Sequence, residues 1–145
     1  MKIIHAQDIQ SPFNLAIIIN RDDKARYCEV FAHALVERFE ELEFTDENIT
    51  IFNAASILDL PLLAARLAKK AQYSAILIGG FYGKSEQTEQ QLIQQTCFNL
   101  ATQTDTAILF KSFDLVHINK SQLNHEARVL AERAYTTVSI LGQLD

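Results

Sequence analysis

Asn14-Leu15-Ala16-Ile17-Ile18-Ile19-Asn20 is short, continuous and β-branched, the pattern of a strand covered on both faces. The chain then changes period. Arg21-Asp22-Asp23 introduces a helix, and Cys28, Phe31, Ala32, Leu35, Phe39 and Leu42 recur on one apolar face. Asp22 or Asp23 is expected to cap it, since a carboxylate there suits the helix dipole. The alternation repeats downstream. Residues 45–48 read as a turn, 49–52 as a second core strand and 53–58 as a loop. Asp59-Leu60-Pro61 opens a helix with Pro near its first turn, its buried stripe being Leu60, Leu63, Leu67 and Ala71. Ala75-Ile76-Leu77-Ile78 is a third buried strand, ending at Gly79-Gly80. A Gln-rich helix is expected over 86–101 and a fourth strand at Ala107-Ile108-Leu109-Phe110. Residues 111–123 read as irregular. The last helix starts near Asn124 and buries Ala127, Leu130, Ala131, Ala134 and Val138.

Strand and helix thus alternate four times. This predicts one α/β domain over 1–145, with a mostly parallel four-stranded sheet, right-handed crossovers and helices on both faces. The apolar stretch 1–6 stands apart, before a polar segment that ends at Pro12. Ligands of such sheets bind beyond the carboxyl ends of the strands. Candidate chemistry therefore falls in four loops, after Asn20, Phe52, Ile78 and Phe110.

Composition narrows the function. The 145 residues are 48% hydrophobic and 21% charged, with a formal charge of -5, which is globular and argues against a nucleic-acid partner. The two cysteines, Cys28 and Cys97, sit on helix faces and read as buried free thiols. The N-terminus lacks the apolar core of a signal peptide, and no apolar run approaches the ~18 residues of a membrane span. A cytoplasmic protein is expected, with no membrane partner.

The loop after Ile78, Gly79-Gly80-Phe81-Tyr82-Gly83-Lys84-Ser85, lies between a strand and a helix, where anions bind. A nucleoside-triphosphate loop needs four residues between its first Gly and Gly-Lys-Ser; three stand here, which argues against an ATPase. Two readings stay open: an anion site built from N–H groups and Lys84, or glycines that only turn the chain with Ser85 capping the helix. Asp22-Asp23 with Lys111 suggests a phospho-receiver, but the central strand ends in glycines where the acceptor Asp belongs. The four histidines, His5, His33, His117 and His125, form no metal spacing. His117 stands out because it lies in the irregular segment after the fourth strand.

From about Phe13 to Leu141 the chain resembles the lumazine synthase family (6,7-dimethyl-8-ribityllumazine synthase, the riboflavin synthase beta chain). Phe13-Asn14-Leu15-Ala16-Ile17-Ile18-Ile19-Asn20-Arg21 is similar to the family's first strand and the Arg after it. Asp59-Leu60-Pro61-Leu62-Leu63-Ala64-Ala65-Arg66-Leu67-Ala68 resembles its Glu-Ile-Pro helix, and Tyr73-Ser74-Ala75-Ile76-Leu77-Ile78-Gly79 its Tyr-Asp-Ala-Val-Ile-Ala-Leu-Gly strand.

The resemblance implies a flavodoxin-like three-layer sandwich and a homopentamer or larger shell. Active sites would lie between subunits, and an N-terminal strand (1–6) would join a neighbour's sheet. It implies condensation of a ribitylamino-pyrimidine with dihydroxybutanone phosphate in riboflavin biosynthesis, with no cofactor and no metal. Substrate contacts are expected from Asp22, Ser56, Ile57, Leu58, Asp59 and Phe81, and phosphate contacts from Gly83, Lys84, Ser85 and Lys120. Catalytic positions are expected at Thr88 and His117.

The departures fall in the site. Asp22 replaces an aromatic that stacks on the pyrimidine. Ser56-Ile57-Leu58-Asp59 loses the aromatic of Gly-Ala-(aromatic)-Glu but keeps a carboxylate. Gly83-Lys84-Ser85 stands where the family has the phosphate loop Gly-Glu-Thr. The proton-transferring His falls on Thr88, or on Gln87 with a one-residue shift, and the phosphate-clamping Arg near His117 or Lys120. Two functions follow: a divergent synthase with weak or lost activity, or a non-catalytic paralogue that binds another anionic or heterocyclic ligand on the same scaffold. A flavodoxin-type flavin binder is disfavoured, because the two carboxylates after the first strand repel phosphate.

Overall fold

The computed structural model describes residues 1–7, 13–21, 26–44 and 46–144. Four parallel strands, β1 (Leu15–Asn20), β2 (Ile49–Ala54), β3 (Ala75–Tyr82) and β4 (Ala107–Asp114), form one sheet in the order β2-β1-β3-β4. Helices α1 (Tyr27–Glu41), α2 (Leu60–Lys70), α3 (Gln87–Gln103) and α4 (Lys120–Leu144) are the crossovers and the final layer. The chain reverses its direction of growth at β1, so the switch point lies between the ends of β1 and β3.

Period-two alternation divides the core. Leu15, Ile17, Ile19, Leu77, Phe81, Leu109 and Phe113 point to α1 and α4. Ala16, Ile18, Ile76, Ile78 and Ile108 point to α2 and α3. The central strand β1 is buried along its whole length, which is why its sequence reads as an unbroken apolar run. By contrast β2, expected as a core strand, is a half-exposed edge, with Ile51 40% exposed.

Several boundaries differ from expectation. β3 does not end at Gly79-Gly80; it runs through both glycines to Tyr82. The glycines are packing sites, not turns. A Cβ on Gly79 would lie 2.5 Å from Phe31 Cε1, and one on Gly80 3.2 Å from Phe110 Cε2. One aromatic ring from each side thus lies against the sheet where a side chain is missing. β4 likewise continues to Asp114, and α4 begins at Lys120, so most of the expected irregular segment is regular. α2 buries Leu60, Ala64, Leu67 and Ala68; Ala71 is not in its stripe but is the exposed, left-handed residue that ends the helix (φ 53°). α1 begins at Tyr27 after a left-handed Arg26. Asp22 and Asp23, expected to cap it, lie outside the described residues.

Residues 1–7 form no strand within this chain. Gln7 N–H donates to Ser139 Oγ (2.7 Å), Ser139 Oγ donates to Gln7 O (2.8 Å), and Gln143 Nε2 donates to His5 O (2.7 Å). The segment is thereby tied to α4, with Met1 and Ile3 exposed.

Candidate active site at the carboxyl edge of the sheet

The segments singled out by sequence follow the ends of β2, β3 and β4. After β2, Ser56 Oγ accepts the Leu58 N–H (3.1 Å) and starts a 3₁₀ turn, Ile57–Asp59. A short polar side chain in extended backbone is what caps such a turn. The turn divides its residues. Leu58 is 61% exposed and Asp59 faces solvent at the head of α2, whereas Ile57 is 1% exposed and packs beside Gly80. Asp59 makes no side-chain cap bond, so its carboxylate is not used by the helix.

After β3 comes a second 3₁₀ turn, Lys84–Glu86. Glu86 N–H donates to Gly83 O (3.0 Å), and Gly83 N–H donates to Glu86 Oε1 (3.0 Å). Glu86 therefore closes this turn, rather than Ser85, which is exposed. One N–H of the expected anion loop is thus given to a carboxylate of the same chain. Lys84 and Thr88 are exposed beside it. Phe81, expected among the substrate contacts, is 1% exposed: its ring meets Phe31 edge-on (6.0 Å) and stacks with Phe113 (5.3 Å). Strand alternation sends it inward to the core.

After β4, Asp114 organises the turn into α4. Asp114 Oδ1 accepts the Val116 N–H (2.9 Å), and Asp114 Oδ2 lies 2.8 Å from His117 Nδ1. These contacts, with His117 first and Val116 second, hold the Asp114 carboxyl below the usual range. Leu115 N–H donates to Tyr82 O (3.0 Å), joining this turn to the end of β3. A cleft of about 260 Å³ opens there, lined in part by Tyr82, Lys111, Asp114, His117, Gln122 and Glu126. Lys111 Nζ lies 3.5 Å from Glu126 Oε2. Lys120 is exposed as the first residue of α4.

The fold thus aligns Ser56–Asp59, Gly83–Ser85 and His117 along one edge, and it brings the β3 and β4 turns into contact. It places Ile57 and Phe81 in the core. Asp22 lies outside the described residues. Sequence reasoning missed Asp114, Tyr82 and Glu86. The spacings Asp114-x-x-His117 and Gly83-x-x-Glu86 carried a signal, since a side chain three residues on across a turn reaches back to the first residue's side chain or backbone N–H. Among the described residues no cluster of three or more His, Cys, Asp or Glu is arranged to hold a metal, and no helix is long and apolar enough to cross a membrane.

A four-stranded parallel sheet in this order, with two helices on each face, defines a flavodoxin-like three-layer α/β sandwich. Comparison with known proteins adds a particular kinship. Over 105 residues the chain is 28% identical to 6,7-dimethyl-8-ribityllumazine synthase of Coxiella burnetii (strain Dugway 5J108-111), covering 70% of this chain and 69% of the relative. The proteins of the same name from strains CbuG_Q212 and RSA 493 / Nine Mile phase I are 27% identical over the same length. No family model matches the chain. The resemblance to the lumazine synthases is that of a divergent relative.

Proposed function

We propose that this chain is a lumazine synthase-like protein of the cytoplasm whose native condensing activity is weak or lost. The reaction would join a ribitylamino-pyrimidine to dihydroxybutanone phosphate, as in riboflavin biosynthesis. The carrying observation is the first turn of α3. The place of the family's proton carrier is held by Thr88 or Gln87, both exposed and neither basic, and Gly83 N–H is bonded to Glu86. Loss of one acid/base group costs ~10²–10⁴ in rate, which leaves whatever proximity alone supplies. An assay with both substrates, following product absorbance and subtracting the uncatalysed condensation, tests this. Turnover far below that of a full synthase is expected in a folded protein; turnover at the level of a full synthase overturns the reading.

The second reading is a non-catalytic paralogue that binds another anionic or heterocyclic ligand. It is favoured by the burial of Phe81 and Ile57, which leaves the edge without those two apolar side chains for a pyrimidine. A ligand screen by thermal shift separates the two readings.

Self-assembly as a homopentamer or larger shell is part of the proposal. From Gln90 to Thr104 there is no charged residue, yet Leu92 and Phe98 are each 64% exposed. Neutral amides are both donors and acceptors, so symmetry-related copies of such a face pair without like-charge repulsion. Among the described residues β4 has a strand on one side only, and the exposed segment 1–6 has the apolar character to add to such an edge in a neighbour.

A further inference from the structure

We propose that Asp114 and His117 form a proton-transfer pair, with His117 Nε2 as the acid/base atom and Asp114 as the residue that positions it. The inference rests on the condensation reading above and supplies the proton carrier that Gln87 and Thr88 cannot. An ionised carboxylate only accepts hydrogen bonds, so the 2.8 Å contact to Asp114 Oδ2 places the ring proton on Nδ1. That leaves the Nε2 lone pair free. Among the described residues Nε2 has no protein partner, and the side chain is 81% exposed while lining the cleft. Asp114 is held in turn by the Val116 N–H, so the ring is steered from a fixed carboxylate. The other ionisable groups of the cleft are Tyr82 from β3, Lys111 from β4 and Glu126 from α4; Lys111 and Glu126 face each other at 3.5 Å and offset each other's charge.

The proton cycle closes. As the pyrimidine amine forms its N–C bond to the carbonyl carbon, the N–H proton passes to Nε2. The imidazolium is balanced by the Asp114 carboxylate. It gives this proton to the alkoxide oxygen formed as the C=O π bond breaks; the second N–H proton then follows the same route, through Nε2 to the carbinol hydroxyl, as the C=N bond forms, the C–O bond breaks and water leaves. The pair ends as it began.

The test uses the full chain in two measurements. In ¹⁵N NMR of the wild type above the imidazole titration, His117 is expected as the Nδ1–H tautomer, and Asp114→Asn is expected to mix the tautomers. A mixed His117 in the wild type overturns the positioning role. In the condensation assay, the weak wild-type turnover is expected to fall to the uncatalysed background in His117→Ala, with partial rescue by added imidazole. Asp114→Asn should lower it less, about 10-fold, without imidazole rescue. Wild-type turnover that survives His117→Ala overturns the pair and leaves the condensation reading standing. Absence of any wild-type turnover in folded protein overturns the pair's role and leaves the loss of native activity standing. Because the His117 side chain faces solvent, its substitution leaves folding intact, and circular dichroism verifies this.

Discussion

Asn20 and Phe81 tie the ends of β1 and β3 together through one side chain. Asn20 Nδ2 donates to Phe81 O (2.8 Å), and Asn20 Oδ1 accepts the Phe81 N–H (2.7 Å), all of it buried. The ladder between the two strands extends to Ile19 and Gly79. Beyond it the Asn20 amide acts as a further peptide group, at the switch point where a parallel sheet opens. Asn20→Leu leaves both Phe81 main-chain groups unpaired and is expected to cost about 2–4 kcal/mol. Asn20→Asp keeps the acceptor but sets a carboxylate oxygen against the Phe81 carbonyl and buries a charge, so it is expected to cost at least as much at neutral pH. Urea denaturation midpoints check both.

Gly79 is held to glycine by the Phe31 ring. The Cβ of Gly79→Ala would stand 2.5 Å from Phe31 Cε1, and overpacking of this kind costs about 1–3 kcal/mol. Phe31→Leu is also expected to destabilise, by cavity formation. Made together, the two changes should cost less than their sum, and a double-mutant cycle measures the coupling.

Acid weakens the contact between α1 and α4. Arg128 Nη2 and Arg38 Nη1 both donate to Glu41 Oε2 (2.6 and 2.8 Å), and these bonds, Arg128 first, lower the Glu41 pKa. A lowered carboxyl pKa stabilises the fold above the unfolded value, about 4.3, and the contribution is lost as pH falls through the folded value. Asp114 acts in the same sense below its unfolded value of about 3.9. Wild type and Glu41→Gln should therefore differ in urea midpoint at pH 7 and converge as pH drops below about 4. A gap that widens on acidification contradicts this.

The Cys97 thiol is 1% exposed, and burial pushes its pKa up to about 12. The thiolate is the nucleophile, so at pH 8 Cys97 stays protonated and unreactive. In Cys28→Ala protein, a disulfide reagent should label Cys97 only at the rate of unfolding. Fast labelling under native conditions would show the thiol to be open.

Self-assembly is checked by light scattering. A particle of five chains or a multiple of five is expected at micromolar concentration. Ile3→Asp with Ile4→Asp should shift it toward the monomer, because charge at those positions opposes strand addition. A monomeric wild type ends the shell proposal.

Parts of the site were legible locally. His117 could be singled out from its place after a strand, and Ser56–Asp59 from position beyond β2. Glycine was misread at Gly79-Gly80, where it marks rings packed from outside the strand; neither Phe31 nor Phe110 is near in sequence. The inward turn of Phe81 is hidden for the same reason: a strand closed at Gly79-Gly80 puts Phe81 in a loop, whereas β3 runs on to Tyr82 and alternation turns the ring to the core.

Alternation of apolar runs with helical spacing was enough to determine a parallel α/β sheet with two covered faces, since those periods record which side of each element is buried. Quoted strand and helix stretches were enough to place it beside the lumazine synthases. Tertiary structure alone decided the order β2-β1-β3-β4, the bridge from Asn20 to Phe81, the bond from Gly83 to Glu86 that occupies the candidate phosphate loop, and the nearness of Tyr82 to the Asp114 turn. The reason is physical. Periodicity is a property of one element against the average core, whereas each of these contacts depends on how particular backbone and side-chain groups meet across a strand end or turn.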